Sequence, residues 1–120
     1  MTTTFSEKRT YQEWMHYPVG RVKVTSTVLD TTAAIETDVA VNGLTKQLHF
    51  IIPALDVTDT AELLLHDAED NILYASGELA QSTSHVINAE RALCGTITIR
   101  IETSTAQAAD RAFTVYIYYL

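Results

Sequence analysis

The sequence predicts an all-β fold: one antiparallel β-sandwich, immunoglobulin-like or jelly-roll-like, of about seven or eight strands. Three observations carry this prediction. From Val22 onward apolar residues recur at every second position, the period of a strand with one buried face. Turn signals punctuate the chain every eight to twelve residues, the rhythm of short antiparallel strands. Thr, Val, Ile and Tyr are plentiful, and such side chains suit a pleated, half-buried surface. At 120 residues the chain makes a single domain with enough core to need no staples.

Residues 1–20 stand apart as an N-terminal arm, with 21–120 as the sandwich domain. After the polar "TTTFSEKRT", the stretch "YQEWMHYP" carries Tyr11, Trp14 and Tyr17 at a spacing of three. Thr10 and Glu13 are placed as a capping box, which predicts a short helix over residues 10–17. Pro18 disfavours helix at Tyr17, so the helix ends there. So short a helix is marginal alone, and its aromatic face needs cover from the chain's own sandwich or from a neighbouring subunit.

The strands follow in order. In "RVKVTSTVL", Val22, Val24, Ser26 and Val28 face inward while Arg21, Lys23, Thr25 and Thr27 face out. "AIETDVAV" repeats the pattern with Ile35, Thr37, Val39 and Val41 inward. Asn42-Gly43 then predicts a tight hairpin into "KQLHFII", where Leu48, Phe50 and Ile52 face in and Pro53 ends the strand. "TAELLLHDAEDNILYASGEL" reads as two strands around the turn "DAEDN". A weak strand follows at 84–88, and then the regular "TITIRIETS" buries Ile97, Ile99 and Ile101. The final strand, "AFTVYIYYL", turns Phe113, Val115, Ile117 and Tyr119 one way and Thr114, Tyr116, Tyr118 and Leu120 the other. Both of its faces are apolar or aromatic, so each needs cover.

Composition excludes several functions. A net charge of −7, from 15 acidic and 8 basic residues, repels phosphates and argues against a nucleic-acid partner. No run approaches the roughly 20 apolar residues of a membrane span, and "MTTTFSEKRTYQEW" has no apolar core of a secretory signal. Cys94 is the one cysteine, so no intrachain disulfide is expected and the chain suits a reducing cytoplasm.

The search for chemistry finds no catalytic, cofactor or metal residues. Histidines 16, 49, 66 and 85 are scattered, and His66 beside Asp67 matches no zinc spacing. Asp67, Glu69, Asp70 and Asn71 share one turn but lack the glycine and distal Glu of a calcium loop. Asp and Asn are also the residues a turn selects for its own geometry. Cys94 has no basic neighbour to make a thiolate. The glycines at 20, 43, 77 and 95 form no phosphate cradle. The chain is therefore read as a non-enzyme. What remains is surface: six tyrosines and one tryptophan, concentrated toward the two ends, are side chains that interfaces favour.

The stretch from "TAELLLHDAEDNILYASGEL" through "LCGTITIRIETS" to "FTVYIYYL" resembles small all-β structural proteins of tailed-bacteriophage particles. Head decoration (cement) proteins and immunoglobulin-like virion modules come nearest. The resemblance covers about half the chain, residues 60 to 120, and carries no catalytic position. It implies a virion protein, assembled in the host cytoplasm, that forms a homo-oligomer such as a trimer and binds the major capsid protein or other virion proteins. Its mechanism would be adhesion: many copies stabilise the head shell. The expected contact residues are Phe5, Tyr11, Trp14 and Tyr17 in the arm and Tyr116 and Tyr118 on the last strand. A short aromatic arm departs from the longer proline- and glycine-rich arm of many cement proteins, which leaves a tail, baseplate or head–tail junction role open. A glycan-binding sandwich, with rings stacked on sugar faces, is the alternative of another class.

Overall fold

The structure is a computed structural model that describes the backbone of residues 3–12 and 17–120, with side chains from Gly20 onward. Among the described residues it is all β, with eleven strands. The first sheet runs β1 (Thr3–Gln12), β2 (Tyr17–Val28), β11 (Arg111–Tyr119), β4 (Gly43–Ile52), β8 (Thr83–Ile87), and β9 (Arg91–Leu93) also pairs with β4. The second runs β3 (Ala34–Ala40), β10 (Thr96–Thr103), β5 (Thr60–His66), β6 (Ile72–Ala75), and β7 (Leu79–Ala80) also pairs with β5. All the pairings are antiparallel.

The pairing is nested: β2 with β11, β3 with β10, β4 with β8, β5 with β6. The chain is thus one long antiparallel ribbon, rolled until β11 also meets β4 and β10 also meets β5. That is the connectivity of a jelly roll, so the jelly-roll alternative holds and the immunoglobulin-like one does not. Rolling puts the last strand in the middle of its sheet, where β2 and β4 satisfy both of its backbone edges. Leu120 extends this lock by exchanging N–H···O bonds of 3.0 and 3.2 Å with Leu44.

The alternate residues meet between the sheets as their period requires. Val22, Val24, Leu48, Phe50, Leu63, Leu65, Ile97, Ile99, Ile101, Phe113, Val115 and Ile117 are all buried in one core. Phe50 and Phe113 stack at 5.8 Å between centroids. Ser26 and Thr37, both placed inward by periodicity, share a hydrogen bond of 2.7 Å across the two layers. Two glycines serve close approach. A Cβ on Gly20 would lie 2.3 Å from the ring of Tyr119, and one on Gly43 would lie 2.3 Å from the Leu120 carbonyl oxygen.

Two expectations are corrected. The stretch predicted as a helix over residues 10–17 is strand where it is described: Thr10–Gln12 close β1 and Tyr17 opens β2, in register with Gln12. Glu13, Trp14 and His16 lie outside the described residues. A capping box is a local signal, and a ladder of ten paired residues outweighs it. Nor is Asn42-Gly43 a hairpin turn, because β3 and β4 belong to different sheets. It is a corner: Asn42 Oδ1 accepts the Gly95 N–H at 2.9 Å, and Val41 N–H donates to the Gly95 carbonyl at 3.0 Å. A period of two records which face is buried, not which strand lies alongside.

Candidate functional site

The site is built on the outer face of the first sheet. Tyr116 and Tyr118 alternate with buried Val115, Ile117 and Tyr119 on β11, so the pleat turns both rings outward, half-buried. Cross-strand register sets Tyr116 opposite Lys23 and His49, and Tyr118 opposite Arg21 and Gln47. The rings form a row: Tyr116 and Tyr118 lie 6.4 Å apart at 29°, and His49 lies 4.8 Å from Tyr118. His49 Nε2–H donates to Gln47 Oε1 at 2.9 Å, which fixes the imidazole beside them.

Two cations cap this row. The Arg21 guanidinium lies 5.0 Å from the Tyr116 centroid, and the Lys23 ammonium 5.8 Å. Both distances suit a cation–π contact, worth about 0.5–1 kcal/mol at an exposed site. Among the described residues neither cation forms a salt bridge. Beyond His49 the face continues with Ile51 and Val86, the latter 58% exposed. An acidic protein thus carries a patch that is aromatic, apolar and positive.

The other predicted contact residues fall on the edge hairpin. Phe5 is in register with Val24, Tyr11 with Pro18, and Tyr17 with Gln12. Trp14 lies outside the described residues. The structure therefore brings Tyr116 and Tyr118 together and places Phe5, Tyr11 and Tyr17 on β1 and β2. Sequence reasoning missed His49, Arg21 and Lys23 as members of the patch. Their outward phase was legible, but their convergence depends on β11 entering between β2 and β4.

The Asp67 turn, weighed for chemistry, holds its own loop. Asp67 Oδ1 accepts the backbone N–H groups of Asn71 and Glu69 at 2.8 and 3.0 Å, and Oδ2 accepts the Asn71 side-chain amide. The Asn71 bonds hold its carboxyl below the usual carboxylate range. That turn is the connection from β5 to β6, and no group of three or more metal-ligating side chains occurs among the described residues. Cys94 is an exposed free thiol.

A second polar cluster, which the sequence did not single out, joins two connections of the sandwich, β4–β5 and β10–β11. Gln107 is 1% exposed. Its amide donates to Asp59 Oδ2 at 2.8 Å, and its carbonyl oxygen accepts the Asp56 N–H at 3.0 Å. Asp59 also accepts from the Thr105 and Ser104 hydroxyls, at 2.6 and 3.0 Å. The Thr105 bond, then that of Gln107, keeps the Asp59 carboxyl below its ordinary range. Arg111 closes the cluster on Asp56 at 2.7 Å. Apart from the buried Arg111 Nε, which has no hydrogen-bond partner among the described residues, these groups bond one another, so the cluster reads as a clasp.

No protein-family model matches the chain, and no curated protein is similar to it in sequence. Solved structures do share its shape. The disulfide-linked pili of Bacillus endospore appendages superpose with a TM-score of 0.53 at 15% identity, covering 99% of this chain and 90% of that one. The Yersinia pseudotuberculosis-derived mitogen gives 0.46 at 6% identity, covering 83% and 86%. VP2 of the infectious bursal disease virus subviral particle gives 0.35 at 10%, with 98% of this chain on 32% of that one. At 15% identity, the likeness to the pilus structure is one of fold.

Proposed function

We propose that the protein is a non-enzymatic structural subunit that works by adhesion, associating with itself and with a larger protein shell. The specific reading is a virion head-decoration protein, with a tail or baseplate position as its nearest variant. One observation carries it: the outward row of Tyr116, Tyr118 and His49, flanked by Arg21 and Lys23, which form no salt bridge among the described residues. Tyr and Arg are the side chains most enriched at interface hot spots, and here they form a single contiguous face. Two weaker supports stand beside it. Jelly rolls recur in viral capsids, a fold-level analogy, and the polar groups around Gln107 and Asp67 bond one another.

The glycan-binding reading uses the same rings. A sugar platform needs open ring faces, whereas Arg21 and Lys23 sit over Tyr116. That observation favours adhesion to protein. The test is co-sedimentation with purified empty tailed-phage head shells, comparing the full chain with its Tyr116→Thr/Tyr118→Thr form. Adhesion predicts saturable binding that the double substitution abolishes while the thermal melt stays cooperative. A chain that ignores shells, stays monomeric and binds a glycan array through these tyrosines overturns the reading.

A further inference from the structure

We propose that the outer face of the first sheet docks on the outer face of the second sheet of another copy, so that copies add head to tail. This rests on the reading of the chain as a self-associating subunit, and names the two surfaces that meet.

The argument is charge complementarity between faces of one molecule. The outer face of the second sheet carries Glu36 and Asp38 on β3, Glu62 on β5 and Glu102 on β10. Against these four carboxylates stands Arg100, already engaged by Glu36 and Glu102. Glu62 and Glu102 face each other directly across the β5–β10 ladder, an arrangement in which like charges repel. Arg100 relieves Glu102, but Glu62 has no ion pair among the described residues. With Glu78 these two line a surface hollow of about 240 Å³. The face is short of positive charge, and an external cation would relieve it.

The opposite face of the same molecule holds such cations. Arg21 and Lys23 are held by a ring and by no carboxylate among the described residues. They sit two residues apart on β2, the same spacing that separates Glu36 from Asp38 on β3. Leu64, half-buried and opposite Arg100, gives the acidic face an apolar centre for the tyrosine rings. Like faces repel like, cation on cation or carboxylate on carboxylate, so a symmetric dimer through either face is disfavoured. Five strands about 4.8 Å apart, rising about 3.3 Å per residue, make a face on the order of 600 Å². Stable contacts begin at about 600 Å² per partner, so the whole face must engage. Because the two surfaces differ, each added copy leaves one of each free, and growth continues past a pair.

Sedimentation velocity on the full chain tests this. The unmodified protein should exceed the dimer mass as concentration rises, and should associate at least about tenfold more weakly as salt rises from 0.05 to 0.5 M. Arg21→Glu/Lys23→Glu and Asp38→Lys/Glu62→Lys should each lose self-association by about tenfold or more, and their mixture should regain it. Melting curves check folding; if a double variant does not fold, Arg21→Ser and Glu62→Gln replace the pair and should each weaken association. Association unchanged in the variants, or a mixture no better than its components, overturns the pairing of these faces and leaves self-association standing. An unmodified chain that stays monomeric at every concentration overturns both.

Discussion

Two regions gather polar side chains and dispose of them in opposite ways. At the clasp, Gln107 spends both amide atoms and Asp59 accepts three donors, all within 3.0 Å. On the tyrosine face, Arg21 and Lys23 lie over the ring of Tyr116 and meet no carboxylate among the described residues. Groups satisfied internally hold the loops; groups left over are available to another molecule. The difference separates what stabilises this fold from what it offers outward, although both regions rest on one core and are joined by one strand, β11.

That separation can be broken experimentally, and the core beneath both regions sets the scale. Phe113→Ala removes a ring stacked on Phe50 and should cost about 4 kcal/mol, read by urea unfolding; a loss under about 1 kcal/mol would mean that the two rings do not share a packed core. Gln107→Ala comes next. It removes the acceptor of the part-buried Asp56 N–H and one of the two donors to Asp59 Oδ2 at the clasp and should cost about 2 kcal/mol, with association unchanged once the chain is folded. An effect on association with no effect on stability would reverse the roles of the two regions.

Acid sharpens the comparison further. Asp59 and Asp67 are held below their ordinary range by hydrogen bonds, chiefly from Thr105 and from the Asn71 backbone. Each therefore binds protons less readily folded than unfolded. Their contribution to stability is fully present above the unfolded value of about 3.9, and is lost as pH falls through the lower folded values. The melting temperature should be flat at pH 6 and fall below about pH 4, with Asp59→Asn flattening that fall. Smallest of all in stability is Tyr116→Thr/Tyr118→Thr. Both rings are outward and Thr suits a strand, so the melt should shift by under about 1 kcal/mol while association disappears.

How much of this was legible in the sequence follows from what a period of two encodes. It assigned Ser26 and Thr37 inward and set Tyr116 and Tyr118 on the face opposite Phe113, because side-chain direction is a local property of the strand. It did not reveal that Asn42-Gly43 turns between sheets, since hairpin and corner begin with the same residues. The nested pairing of β2 with β11 spans nearly the whole chain, and no local signal reports it. The gathering of His49, Arg21 and Lys23 around the tyrosines depends on that pairing. Gln107 stayed hidden in "STAQAAD" for a related reason: a buried glutamine and a solvated one look alike until their partners, here Asp56 and Asp59, are brought near. The capping box of Thr10 and Glu13 misled because a local helix signal was read where a paired ladder forms.

The most direct test of the central claim, that the outward tyrosines are the adhesive surface, is a nitration footprint of the unmodified protein. Tyrosine reactivity is read by mass spectrometry at dilute and at high concentration. Tyr116 and Tyr118 should react when dilute and become protected as copies associate, with Tyr74, which packs against the core opposite inward Leu65, unchanged throughout. Equal reactivity of Tyr116 and Tyr118 at both concentrations, in a sample whose mass has grown, would contradict the account.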